Sequence, residues 1–156
     1  MRTLPEIEGR LDELTGIPAP GTVPGTGFPS PSPDVLAHEL LSVGEDVLEH
    51  WLAVRGLEPT LETREGFRLL ALHRQGATGD PSFNACRETC RELIYHYNLL
   101  TMDPQHEDTP HRLRMMALVA NHLRLFVVGK MQVAGLGDFC CSSRPVREEA
   151  VRGEQA

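Results

Sequence analysis

Residues 32–56 read SPDVLAHELLSVGEDVLEHWLAVRG, and this stretch decides the fold. Ser32 followed by Pro33 marks a helix start, because serine suits the capping position and proline, with no amide proton, fits the first helical one. Leu36, Leu40, Val43, Val47, Trp51 and Val54 then recur at three- and four-residue intervals, with His38, Ser42, Glu45 and Glu49 opposite. That spacing gives a helix one dry face and one wet face, the acidic group Glu45, Asp46 and Glu49 belonging to the wet one. Gly56 follows the last periodic residue, where a left-handed terminator is wanted.

The same punctuation recurs on both sides. Thr3 and Glu6 form a capping box for a short helix over 4–15, and Thr60 caps a helix over 61–75. Asp80-Pro81 opens a helix over 81–102, and Thr109-Pro110 opens the last over 110–134, while Gly16, Gly76 and Gly135 supply the remaining stops. No run alternates well enough for a strand, so the pattern predicts an all-α protein. Short connections between the four long helices favour an up-down-up-down four-helix bundle. The expected organisation is a short N-terminal helix (1–15), a Pro/Gly-rich linker or strap (16–33), a helical bundle with a cysteine-bearing tail (34–141) and a charged, frayed C-terminus (142–156). Ile17, Val23 and Phe28 are the strap's candidates for docking on the bundle.

At 156 residues the chain is long enough for one domain with a real core. The net charge of −7 comes from residues 1–60, where Arg2, Arg10 and Arg55 face ten carboxylates. An acidic chain without clustered Lys, Arg and aromatic residues is not expected to bind nucleic acid. The N-terminus has no apolar run resembling a signal sequence, and the apolar stretches around Met115–Ala120 and Leu123–Gly129 fall short of the ~20 residues of a membrane span. The expectation is a cytoplasmic protein, away from the membrane, with reduced thiols.

The candidate chemistry lies in four cysteines: Cys86 and Cys90, one helical turn apart, and the vicinal Cys140 and Cys141. If the last two helices form a hairpin turning near residue 106, Cys90 falls beside Asn121 and His122. A tail folding back through Gly135-Leu136-Gly137 then brings Cys140 and Cys141 to Cys86. Four sulfurs with the His122 imidazole would suit zinc, copper(I) or an iron–sulfur cluster. The Cys-x-x-x-Cys spacing is wider than the usual zinc knuckle, which counts against it.

A redox thiol needs less geometry. Cys86, in the second turn of a helix, would feel the positive end of the dipole and ionise readily. The competing reading makes Phe83, Cys86, Cys90, Leu93 and Tyr97 an ordinary core stripe, since free cysteine packs as a small hydrophobe. His122 shares its face with apolar residues and is expected to be buried, whereas His38, His50, His73, His106 and His111 are expected at the surface, and His96 is expected to pair with Glu92.

No Glu-x-x-His step of a di-iron bundle, phosphate-binding glycine loop, dinucleotide fingerprint or Gly-x-Ser-x-Gly elbow occurs. No catalytic motif emerges. The leading functional expectation is a helical accessory protein acting through contact with another protein or with itself, the alternative being a thiol-based metal or redox module. The last helix, apolar nearly all round, is expected to be either the most buried or the carrier of a partner surface.

Overall fold

The computed structural model describes residues 1–16 and 31–135. They are all-helical: α1 (Leu4–Leu14), α2 (Pro33–Val54), α3 (Arg68–Ala77), a 3-10 helix (Pro81–Cys86), α4 (Arg87–Met102) and α5 (Thr109–Val133). The strap's Ile17, Val23 and Phe28 lie outside the described residues, as does the chain beyond Gly135. No described helix is long and apolar enough to cross a membrane.

Local chemistry explains most helix ends. Thr3 and Glu6 make the capping box, with Glu6 Oε2 accepting from the Thr3 amide at 2.8 Å and Thr3 Oγ1 accepting from the Glu6 amide at 3.3 Å. Gly16, Gly56 and Gly135 take positive φ just past α1, α2 and α5, as expected. Gly76 does not: it sits inside α3, and the left-handed residue is Gly79. At Gly76 the side chain is absent for packing reasons, since an added Cβ would lie 2.9 Å from Phe83 Cε1 and 3.0 Å from Trp51 Cδ1.

Two predicted helices are shorter than expected. The helix predicted over 61–75 begins only at Arg68, because residues 64–67 form a tight turn closed by paired Arg64–Phe67 amide–carbonyl bonds of 3.0 Å. Glu65 and Gly66, at φ 54° and 84°, supply the left-handed pair that such a turn needs. Thr60 accordingly caps no helix; its carbonyl accepts from Arg68 Nε at 2.9 Å. The helix predicted over 81–102 breaks at Cys86, with a 3-10 segment before it and α4 after.

α2 is the centrepiece, packing against α3, α4 and α5, while α4 packs against α5 and α1 lies on α5. Leu40, Val43, Val47 and Leu48 of α2 meet Leu69, Leu72, Leu93, Met116, Leu123 and Val127 in one buried core. Gly44 allows the close approach: a Cβ there would stand 2.6 Å from Leu93 Cδ2. Ile7 and Leu11 seat α1, fully buried, and contribute about 3–6 kcal/mol of apolar burial before the cost of ordering.

The acidic face of α2 is not the solvated stripe expected from sequence. Asp46 is buried and accepts from Arg2 Nη1 at 2.8 Å, Arg10 grips Glu39 at 2.6 Å, and Arg68 binds both Glu45 and Glu49. The carboxylates therefore dock α1 and α3 onto α2. Much of the N-terminal acidity has an internal, architectural use.

Candidate functional site

Four segments converge at the end of the fold where α2 and α3 finish and the 3-10 helix begins. The Trp51 and Phe83 rings stack at 5.1 Å, and Trp51 Nε1 donates to the Gly76 carbonyl at 3.2 Å. Lys130 of α5 reaches the same place, bonding Asp80 at 2.9 Å and Ser82 at 2.6 Å and lying 5.6 Å from the Trp51 ring centre. This platform fixes Phe83 and, through its carbonyl, the Cys86 thiol behind it.

Cys86 and Cys90 are both free and buried, at 1% and 0% exposure. Cys86 ends the 3-10 helix at the N-cap of α4 rather than in a second helical turn. Its Sγ–H donates to the Phe83 carbonyl at 3.3 Å, and the same oxygen lies 3.2 Å from His73 Nε2, which donates to it. His73, expected at the surface, is only 5% exposed and stacks on Phe83 at 5.5 Å.

These contacts split the two thiols. Cys90 donates to Cys86 and thereby pulls the Cys86 thiol down to about 6, against the opposing effect of burial, with the His73 hydrogen bond and charge acting in the same direction as Cys90. Cys90 is pushed upward, first by donating to Cys86 and then by burial. One sulfur is thus prepared to be a thiolate while its neighbour keeps the proton.

Of the rest of the expected cluster, only His122 falls among the described residues. His122 is exposed on α5 rather than buried, because its ring leaves the bundle beside the buried Leu123. Cys140 and Cys141 lie outside the described residues. Among the described residues no group of three or more His, Cys, Asp or Glu side chains could hold a metal ion. His96, expected as an exposed partner of Glu92, is half-buried, its Nδ1 has no hydrogen-bond partner, and burial lowers its pKa. His38 and His111 are exposed as expected, and His50 and His106 are half-buried.

The participation of His73 was readable in retrospect: Leu69, Leu72, His73 and Gly76 fall at positions of one helical stripe, and all four are buried. Beyond His73 the surface opens into a pocket of about 160 Å³ lined by Arg64, Arg74, Arg87 and Arg91 together with His73 and Asn84. A second opening, about 440 Å³, shares Arg64 and Arg74 and continues over Thr60, Glu62, Thr63, Gln75 and Thr78. The sequence offered no sign of this gathering, since its arginines come from the 64–67 turn, α3 and α4. Comparison of the chain with protein-family models, with curated proteins and with solved structures returned no match in any of the three.

Proposed function

We propose that this is a cytosolic helical accessory module in which Cys86 and Cys90 form a reversible thiol switch controlling contact with a protein partner. The observation that carries the reading is a pair of buried free cysteines one turn apart, with the Cys86 thiol and the His73 ring sharing the Phe83 carbonyl. The reading takes α2–α5 as a four-helix bundle in which α2, α3 and α5 finish at the same end and α4 starts there, the Trp51–Gly76 bond and the Lys130–Trp51 contact replacing the up-down-up-down order expected from the sequence.

The chemistry needs hydrogen peroxide as oxidant. The Cys86 thiolate attacks one peroxide oxygen, the O–O bond breaks, and the departing hydroxide is protonated to water. Cys86 is then a sulfenic acid. The Cys90 sulfur attacks it, an S–S bond forms, and the second oxygen leaves as water with the Cys90 proton. Access is a matter of one shallow turn, because Ala85 and Arg87 on either side of Cys86 are exposed and a local opening bares the sulfur.

Geometry favours reversibility. Side chains four apart on a helix have Cβ atoms about 5–6 Å apart, whereas a disulfide wants roughly 3.8 Å. Closing the bond must deform the first turn of α4, and strained disulfides are the readily reduced, regulatory kind.

The partner surface has its own support. Leu118 and Leu125 of α5 are 41% and 54% exposed, and His122 lies between them on the same face. That stripe favours contact with another protein or a second copy of this chain.

The test is peroxide treatment of the full chain, followed by digestion and mass spectrometry. The expected product is a Cys86–Cys90 disulfide that dithiothreitol reverses, lost in Cys86→Ser and replaced by a dimedone-trappable sulfenic acid in Cys90→Ser. Recovery of both thiols unmodified, at peroxide levels that oxidise an exposed control cysteine peptide, refutes the switch. The same digest reports whether Cys140 or Cys141 takes the place of Cys90.

A further inference from the structure

In a chain of net charge −7, four arginines line one small pocket. Among the described residues Arg64, Arg74 and Arg87 form no ion pair, and only Arg91 has a carboxylate, Glu65, at 2.9 Å. By contrast Arg2, Arg10 and Arg68 each hold a carboxylate, and Arg10 and Arg68 hold two, while Arg55, Arg112 and Arg114, which also form no ion pair among the described residues, line neither opening. Four guanidinium groups against one carboxylate repel one another, so the arrangement calls for an anion.

Shape and donor chemistry narrow the anion. Guanidinium forks pair with the oxygens of phosphate in a bidentate manner. The pocket also sits against the start of α4, since Asn84 and Arg87 both line it, and the positive end of the helix dipole faces the same region. A volume near 160 Å³ accommodates a phosphate group and little more, being well below the roughly 300–1,000 Å³ of sites that enclose a whole drug-sized ligand.

The remainder of the ligand has to extend into the adjoining opening across the shared Arg64 and Arg74. Apart from Ala71 and the shared guanidinium groups, that opening is lined by hydroxyl, amide and carboxylate groups, and by no aromatic ring. The side chains of Glu62 and Thr63 make no hydrogen bond among the described residues, and Thr60 Oγ1, which accepts from the Glu62 amide at 3.1 Å, keeps its own proton to donate. Such a surface suits hydroxyl groups. A nucleobase would find nothing to stack on.

We propose that the junction of the 64–67 turn, α3 and the start of α4 binds a small phosphorylated sugar or polyol. Arg64, Arg74, Arg87 and Arg91 hold the phosphate, and Glu62, Thr63 and Thr60 take the hydroxyls. Cys86 lines neither opening, so Cys86→Ala retains the site.

Isothermal titration of the full chain with glucose 6-phosphate, inorganic phosphate and glucose tests the proposal. Glucose 6-phosphate is expected to bind at one per chain and more tightly than inorganic phosphate, with no heat from glucose. Arg74→Gln and Arg87→Gln should each weaken binding about tenfold, the effect of losing one charge-assisted bond. Both side chains are exposed, so the melting temperature without ligand should hold, and Arg114→Gln on α5 should bind as the parent does. No saturable binding at millimolar concentrations overturns the proposal, as does binding that survives unchanged in both pocket variants. Equal affinity for inorganic phosphate and glucose 6-phosphate overturns the assignment of the second opening to hydroxyls.

Discussion

Gly76→Ala tests whether the aromatic platform governs the thiols. The added Cβ would meet Phe83 Cε1 at 2.9 Å and Trp51 Cδ1 at 3.0 Å. Neither ring can swing aside, because both are buried, they stack within 7° of parallel, and Trp51 is tied to the Gly76 carbonyl itself. Overpacking of this kind costs about 1–3 kcal/mol, and alanine's better helix propensity offsets up to ~1 kcal/mol of it. The net destabilisation is about 0–3 kcal/mol, each kcal/mol lowering the melting temperature by roughly 2–4 °C for a chain of this size. The clash also moves Phe83, whose carbonyl holds the His73 ring beside Cys86, so the part of the shift due to His73 should be lost and the Cys86 thiol should rise toward its ordinary value of 9.0. Circular-dichroism melts and the pH profile of iodoacetamide alkylation measure the two effects. Gly129→Ala is the control, with nothing within 4 Å of its added carbon, and should be neutral or stabilising. A melting temperature at or above the parent's together with an unchanged Cys86 profile would refute the reasoning.

Three further outcomes follow from the packing and the charges. Alkylation of Cys86 should rise with a midpoint near about 6, and Cys90→Ala, which removes the largest cause of the shift, should raise that midpoint. Because the folded thiol ionises below its unfolded value of 9.0, the unfolded chain holds more protons between those values and stability should increase with pH from about 6 to about 9; Cys86→Ala should flatten that increase in urea midpoints. Asp46→Ala leaves the Arg2 guanidinium without its buried acceptor and should destabilise by about 1–3 kcal/mol, with faster hydrogen exchange in α1; exchange equal to the parent's would remove the docking role of the pair. Leu118→Ser with Leu125→Ser should change stability by no more than ~0.5 kcal/mol each, as exposed positions do. The same change should abolish any concentration dependence of the parent's sedimentation coefficient, and persistence of that dependence would place self-association elsewhere.

Helix order and the core stripe of α2 could be read because both depend on local chemistry. Capping side chains, proline at first positions and three- and four-residue apolar spacing act within a turn or two of the residue concerned. What escaped depends on contacts between distant segments. Glu45, Asp46 and Glu49 look solvated on a helical wheel, yet Arg2 and Arg68 arrive from other elements and cover them. His73 looks superficial until the 3-10 helix folds across α3. The late start of α3 is a different matter: Thr60 fits a cap and suggests a start at 61, whereas the left-handed Glu65-Gly66 pair holds residues 64–67 in a turn. The cysteines show both cases at once. Their one-turn spacing correctly placed Cys86 and Cys90 together on the core stripe, but the helix break at Cys86 and the shared Phe83 carbonyl are tertiary facts.

His73 joins the two proposed sites, since it shares the Phe83 carbonyl with the Cys86 thiol, helps to lower that thiol's pKa and also lines the arginine pocket, and the sign of their coupling can be derived. A phosphate dianion in the pocket is a like charge to the Cys86 thiolate and draws on the same imidazole. Its presence should therefore raise the Cys86 thiol and, by thermodynamic reciprocity, the thiolate should weaken phosphate binding by the same factor. Saturating glucose 6-phosphate is expected to move the alkylation midpoint of Cys86 upward, and Cys86→Ala at pH 8 is expected to bind the ester more tightly than the parent. Simple blockage of the thiol would also slow alkylation, but it would do so at every pH. A charge effect vanishes at high pH, where Cys86 is ionised with or without ligand. If the midpoint stays fixed while Arg87→Gln still weakens binding, the two sites are occupied independently and His73 transmits nothing between them.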